Sequence, residues 1–153
     1  MNYVLFLCTG NYYRSRFAEA VFNHHARLRQ LKWRAFSRGL AIHLAPDRGL
    51  SPHTRAALAA RGISVKSTAA RARRVTAQDL SRAAVRIALK EAEHRPYLGA
   101  SFPEWVNKVV YWHVHDIDVA EAEETLPQIE TRTVALVSQL ACGVAPGKMD
   151  WSG

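Results

Sequence analysis

Cysteine is scarce in this 153-residue chain, which holds only Cys8 and Cys142. Two such distant cysteines make no disulfide framework, so nothing in the sequence asks for an oxidising compartment. No apolar run approaches 18 residues, which excludes a transmembrane helix. Residues 3–8 are apolar, but no basic stretch precedes them and no small-residue cleavage site follows. They do not read as a signal peptide, and the expected location is the cytoplasm. Internal repeats, linkers and low-complexity tracts are also missing. Acidic residues are few beside basic ones, 13 against 21, giving a formal net charge of +8. A surface of that sign concentrates anions such as phosphate esters and phosphoproteins. Most of the basic residues are arginine, whose planar fork suits phosphate oxygens. Nucleic acid is disfavoured as the partner. The densest basic stretch (Arg71, Arg73, Arg74, Arg82 and Arg86) has neither interleaved aromatics nor a nucleic-acid motif and reads as a solvated face.

What is present is an alternation of strands and helices. Residues 3–7 (Tyr-Val-Leu-Phe-Leu) form a short apolar run of the kind a buried strand shows. Residues 8–14 form a loop containing Gly10 and Asn11, and a helix starts near Ser15. Phe17, Ala18, Val21, Phe22 and His25 share one face of that helix. A second strand is expected at 34–37. Residues 41–50, with Pro46 and Gly49, read as a loop. Ser51 and Pro52 open a helix that Gly62 stops. Residues 64–75 are polar and irregular. Thr76 and Asp79 have the spacing of a capping box and predict a short helix to about Ala83. A third strand follows at 85–89, then a helix over 91–98 stopped or kinked at Pro96. A fourth strand is expected at 109–114. From about Glu121, residues Leu126, Ile129, Val134, Val137 and Leu140 build a last amphipathic helix.

The reading is a single α/β domain over 1–142, with a four-stranded parallel sheet and helices on both faces, followed by a flexible C-terminal tail at 143–153. Open sheets of this kind bind ligands beyond the carboxyl ends of their strands. The loop after strand one, Cys8 to Ser15, lies there, and each of its parts has a chemical reason. A thiolate is a strong nucleophile, and a helix N-terminus with a nearby arginine favours it. Backbone N–H groups of a curved loop can surround phosphate oxygens. Arg14 can bind two of those oxygens as a fork. Ser15 can donate to the thiolate. Gly10 permits a turn that a Cβ would oppose, and Asn11 tolerates the left-handed region. The loop is therefore a phosphate-binding candidate made of Thr9, Gly10, Asn11, Tyr12, Tyr13, Arg14 and Ser15.

The stretch Cys8-Thr9-Gly10-Asn11-Tyr12-Tyr13-Arg14-Ser15-Arg16 resembles the Cys-x-Gly-Asn-x-Cys-Arg-Ser-Pro loop of low-molecular-weight protein tyrosine phosphatases. The likeness extends over most of the chain. Residues 17–22 look like the family's first helix, and Ser37-Arg38-Gly39-Leu40 stands at its Ser-Ala-Gly-Thr. Residues 55–62 resemble its second helix, and 112–140 its acid loop and last helix. The resemblance implies that Cys8 attacks phosphorus to give a cysteinyl-phosphate that water hydrolyses. It implies a phosphorylated protein or small aryl phosphate as substrate, with phosphate or a similar oxyanion held in the loop and no metal or organic cofactor. It makes Asp116 the acid that protonates the leaving oxygen, with Asp118 in reserve, and makes Asn11 and Ser37 braces of the loop.

The chain departs from that pattern in several places. Tyr13 replaces the second loop cysteine, so no reversible disulfide can protect Cys8. Tyr12 and Tyr13 either line the mouth of the site or pack into the core. Arg16 replaces proline, Ala70 a supporting histidine, Ala84 an aspartate before the third strand and Ile117 the proline after the acid. Val119 and Ala120 stand where aromatics are usual. These changes leave open a second reading, a catalytically weak relative that binds phosphate or a phosphoprotein. A thioredoxin-coupled arsenate reductase does not fit, because the chain has no relay cysteines. His113, His115, Asp116 and Asp118 alternate as metal ligands on a strand could, but no further histidine or cysteine supports them, and no metal site is expected.

Overall fold

The computed structural model describes residues 1–114, 122–149 and 151. Its central strand, β1 (Asn2–Cys8), is apolar toward both faces of the sheet. Val4 and Phe6 enter one core and Leu5 and Leu7 the other, and all four are fully buried. That is why the run is continuous rather than alternating. β2 (Trp33–Gly39) lies on one side of β1 and β3 (Val85–Ala88) on the other. β4 (Val110–Tyr111) sits outside β3. The order is β2-β1-β3-β4, and every pairing is parallel. The register aligns Cys8 with Gly39, so β1 and β2 end at the same level.

Helices cover both faces. The larger core joins Val4 and Phe6 to α1 (Arg14–Leu28), α2 (Pro52–Ala60) and α5 (Ala122–Ala141) through Phe17, Phe22, Leu58, Ile129 and Val137. The smaller core joins Leu5 and Leu7 to Leu80 of α3 (Ala77–Arg82) and Leu98 of α4 (Glu91–Ser101). Ser51 caps α2 by accepting the His53 N–H at 3.2 Å, and Gly62 follows the helix at φ +67°. Thr76 and Asp79 exchange both bonds of a capping box at the start of α3. After α5 the chain returns to the larger core, where Val144, Met149 and Trp151 pack. Among the described residues, no helix is long and apolar enough to cross a membrane.

Three local expectations are corrected. α4 does not stop at Pro96 but continues to Ser101. The proline removes one backbone donor, and burial of His94 and Leu98 on either side of it holds the helix together. The last helix, by contrast, is as expected: α5 runs through Pro127, between buried Leu126 and Ile129. The fourth strand is only two residues long; Trp112 then turns into the larger core and His113 bridges Lys90 antiparallel. The basic stretch is solvated at Arg71, Arg73, Arg74 and Arg82, which are exposed, but not at Arg86, which is half-buried and donates to the Leu80 and Ala83 carbonyls that end α3.

The capping box gives a direct test of local stability. Thr76→Ala removes the acceptor for the Asp79 N–H, and the expected cost is about 1 kcal/mol in the urea unfolding free energy.

Candidate active site

β1 delivers Cys8 to the carboxyl edge of the sheet, and α1 begins six residues later at Arg14. Between them the chain folds into a cradle braced from outside. The Cys8 and Thr9 carbonyls accept the N–H groups of Leu40 and Ala41 at 2.9 and 2.8 Å, and Ser51 N–H donates to the Tyr12 carbonyl at 2.9 Å. Thr54 Oγ1 donates to the Tyr13 carbonyl at 3.0 Å. Asn11 sits at φ +50°, the left-handed conformation in which asparagine is tolerated. Two glycines let the walls close. A Cβ on Gly10 would lie 2.8 Å from that of Ala45, and one on Gly39 would lie 2.9 Å from the Thr9 carbonyl oxygen. The first turn of α1 has no acidic residue, leaving its positive end to face an anion.

Inside the cradle, hydrogen bonds have readable directions. Asn11 Nδ2 donates one proton to Ser15 Oγ and the other to Ser37 Oγ, each at 2.9 Å. Its Oδ1 accepts the Arg73 N–H at 2.9 Å. Ser15 Oγ lies 2.9 Å from Cys8 Sγ. Since it already accepts from Asn11, its own proton is the one directed at sulfur when Cys8 is a thiolate. Ser37 Oγ donates to Glu19 Oε1 at 2.6 Å, and Thr68 Oγ1 donates to the same oxygen at 2.8 Å. Arg16 Nε donates to Thr68 Oγ1 at 2.7 Å. An unbroken chain thus runs from the nucleophile to a buried carboxylate and a buried guanidinium.

Arg16 is 1% exposed. Besides Thr68, it donates to the carbonyls of Asn11 and Gly49 at 3.3 Å and to that of Ala69. Burial lowers its pKa, opposed by the charge of Glu19 and by Cys8. Burial raises that of Glu19, opposed by the Ser37 and Thr68 hydroxyls and then by Arg16. The sequence marked Arg16 and Ala70 only as departures. In the structure they are linked: the segment that carries no histidine at Ala70 is held by the Arg16 guanidinium through its neighbours Thr68 and Ala69.

A cavity of about 240 Å³ opens on this chain, lined by Cys8, Thr9, Gly10, Tyr12, Tyr13, Arg14, Leu44 and Ala45. Leu44, 60% exposed, forms an apolar lip. Of the two tyrosines, Tyr13 both lines the cavity and packs on the larger core, edge to face with His53 at 6.2 Å. Burial raises its phenol pKa, so the hydroxyl stays protonated at neutral pH. Arg14 is buried and its fork is engaged from α4: Nη1 and Nη2 donate to the two oxygens of Glu93 at 2.8 and 3.0 Å. Thr9 Oγ1 donates to Glu93 Oε1 at 2.7 Å. Burial alone would raise the Glu93 pKa; the hydrogen bonds and charge of Arg14, with Thr9 and His94, outweigh it and hold the carboxyl at about 2.

The structure therefore brings together Cys8, Thr9, Gly10, Asn11, Tyr12, Tyr13, Arg14, Ser15 and Ser37. Asp116 and Asp118 lie outside the described residues, as do Ile117, Val119 and Ala120. Glu93, Glu19, Thr68 and Leu44 escaped the sequence reading. Only Leu44 carried a local signal, as an apolar residue inside a proline-containing loop. Chemically, the site joins a thiol with a directed hydroxyl donor, a helix N-terminus and a guanidinium around one small cavity, as attack on an oxyanion ester requires.

Comparison with known proteins agrees with this geometry. The family described as "Low molecular weight phosphotyrosine protein phosphatase" matches residues 3–144. YfkJ from Bacillus subtilis is similar in structure, with a TM-score of 0.76 and 28% identity, covering 94% of this chain and 96% of that one. A low molecular weight protein tyrosine phosphatase from T. tengcongensis gives a TM-score of 0.72 at 25% identity, covering 94% and 99%. SP-PTP, the corresponding protein from Streptococcus pyogenes, gives 0.76 at 21% identity, covering 92% and 93%. No curated protein matches the sequence.

Two measurements test this electrostatic architecture. Arg16→Met strands Glu19 and four acceptors in the interior and is expected to cost about 3 kcal/mol. Adding Glu19→Gln should recover much of that, with a coupling of about 1–3 kcal/mol in a double-mutant cycle. The depressed Glu93 pKa has the opposite linkage from a raised one. Its stabilisation is present above the ordinary value of 4.5 and is lost as the pH falls toward about 2. Glu93→Gln should therefore lose less stability than the unmodified protein across that acid window, read as unfolding midpoints against pH.

Proposed function

The chain belongs to the low molecular weight phosphotyrosine protein phosphatase family, whose members are cysteine-dependent phosphatases, and from that premise we propose that it hydrolyses phosphotyrosine or related aryl phosphates through a cysteinyl-phosphate. The observation that carries the proposal is the 2.9 Å contact of Cys8 Sγ with Ser15 Oγ, beside Arg14 at the first turn of α1. A phosphorylated protein or a small aryl phosphate would place its phosphoryl group in the cavity above Cys8. The apolar lip at Leu44 and the ring of Tyr12 suit an aromatic leaving group.

The steps follow from the residues. Cys8 thiolate attacks phosphorus while the bond to the leaving oxygen breaks. Asp116 gives that oxygen its proton, so a neutral phenol departs. Charge spreading over the equatorial oxygens is met by the backbone N–H groups of the loop and by Arg14. Water then attacks the cysteinyl-phosphate, Asp116 takes its proton, and inorganic phosphate leaves with the thiolate restored. Ser15 stabilises the thiolate at both ends of the cycle, while Asn11 and Ser37 keep Ser15 aimed. The cycle calls for no metal and no organic cofactor.

The test is turnover of para-nitrophenyl phosphate in the presence of a chelator. Cys8→Ser should abolish it, and Asp116→Ala should lower kcat about 10²–10³-fold with Asp118→Ala close to the unmodified enzyme. No turnover above the Cys8→Ser background, with inorganic phosphate still bound, would replace the enzyme by a phosphate-binding relative. Normal kcat in Asp116→Ala with loss in Asp118→Ala would move the acid to Asp118.

A further inference from the structure

One charged group at the site has no part in the cycle above. Glu93 lies 79 residues beyond Arg14, yet its carboxylate meets that guanidinium end-on. Such a pair uses one N–H from each terminal nitrogen. A guanidinium has a second edge, built from Nε and the outer N–H of one terminal nitrogen, and it can take two phosphoryl oxygens there. Both edges lie in one plane, so a partner that fixes the first also fixes the direction of the second.

The carboxylate is itself firmly held. Glu93 Oε1 also accepts from Thr9 Oγ1, so one side chain ties the residue after the nucleophile to the arginine that closes the loop. It stands on a helix rather than on a loop. In α4, buried His94 accepts the Lys90 N–H through Nδ1 at 3.1 Å, and Leu98 is fully buried in the smaller core. α4 packs on β3, the neighbour of β1, so Glu93 is registered to the strand that presents Cys8.

We propose that Glu93 is a positioning residue that sets the plane of the Arg14 guanidinium for the transition state, acting through Arg14 and not on the substrate. The proposal rests on the phosphatase reading. A carboxylate beside the pocket weakens ground-state attraction for a phosphate dianion, so its presence is not explained by substrate binding. Its benefit lies in orientation, which matters most when charge develops on the oxygens.

The experiment compares the intact protein with Glu93→Ala, Glu93→Gln and Cys8→Ser on para-nitrophenyl phosphate, together with competitive inhibition by inorganic phosphate. Circular dichroism and thermal unfolding establish that each variant is folded. If Glu93→Ala does not fold, the nearly isosteric Glu93→Gln carries the test, since its amide N–H cannot accept from the guanidinium. The expected result is a kcat about tenfold lower in either variant, with KM and the phosphate inhibition constant unchanged or lower. Undiminished kcat, or a higher kcat with tighter phosphate, would identify Glu93 as a mere competitor for Arg14 and overturn the proposal. A raised KM with unchanged kcat would overturn it too, as the mark of a binding role. These outcomes are read against an intact protein that turns over and a Cys8→Ser variant that does not. Failure of that pair of controls would remove the phosphatase reading, and this proposal with it.

Discussion

The carboxamide of Asn11 is the contact on which the site's geometry depends. It has two protons and one carbonyl oxygen to satisfy, and the fold uses all three, on Ser15, Ser37 and Arg73. Those partners come from the start of α1, from β2 and from the segment after α2. One side chain therefore gathers three distant pieces of chain around the nucleophile. Asparagine fits this place for two separate reasons, its tolerance of φ +50° and its two-sided hydrogen bonding. Aspartate would accept where Asn11 must donate. Glycine would keep the backbone and lose all three bonds.

Behind that amide, the protein handles a costly arrangement. Glu19 and Arg16 are both withdrawn from water, which is unfavourable for each alone. They are made tolerable by saturation: Glu19 accepts from Ser37 and Thr68, and Arg16 donates to Thr68 and to three carbonyls. The directions of the hydroxyl protons then follow. Ser37 and Thr68 must both donate to Glu19, so Ser37 must accept from Asn11, and Asn11 is left free to donate to Ser15. The orientation of the hydrogen bond nearest Cys8 is thus set by charges several residues away. Low dielectric surroundings strengthen such a chain when every member is satisfied.

Much of this was legible in the sequence where the cause was local. The apolar run of β1, the Ser51–Pro52 entry to α2 and the capping box of α3 are short-range patterns, and each formed the element expected. The loop itself was legible because cysteine, glycine, asparagine, arginine and serine fall within eight residues and each has a local chemical reason. One element went astray where tertiary packing overrode local preference, at Pro96, whose helix continues because residues on either side are buried. Glu93 was illegible for another reason. Nothing in the spacing of residues 91–98 says that one of three nearby carboxyl and imidazole side chains will meet an arginine on the far side of a crossover. That contact is created by the sheet order β2-β1-β3-β4, which sets α4 against the strand next to β1.

The clasp formed by Arg16 also constrains the routes by which this sequence can change. Arg16 stands where the family pattern has proline, and Ala70 where it has histidine. Arg16 holds the segment around Ala70 by bonding to Thr68 and Ala69. Restoring proline at position 16 alone would leave Glu19 without its cation and the loop carbonyl of Asn11 without its donor. Restoring histidine at position 70 alone would leave the Arg16 guanidinium still bonded to that segment. The two positions therefore bear on one segment, and only a change at position 16 removes the bonds that hold it. Position 16 is thus the less replaceable of the two.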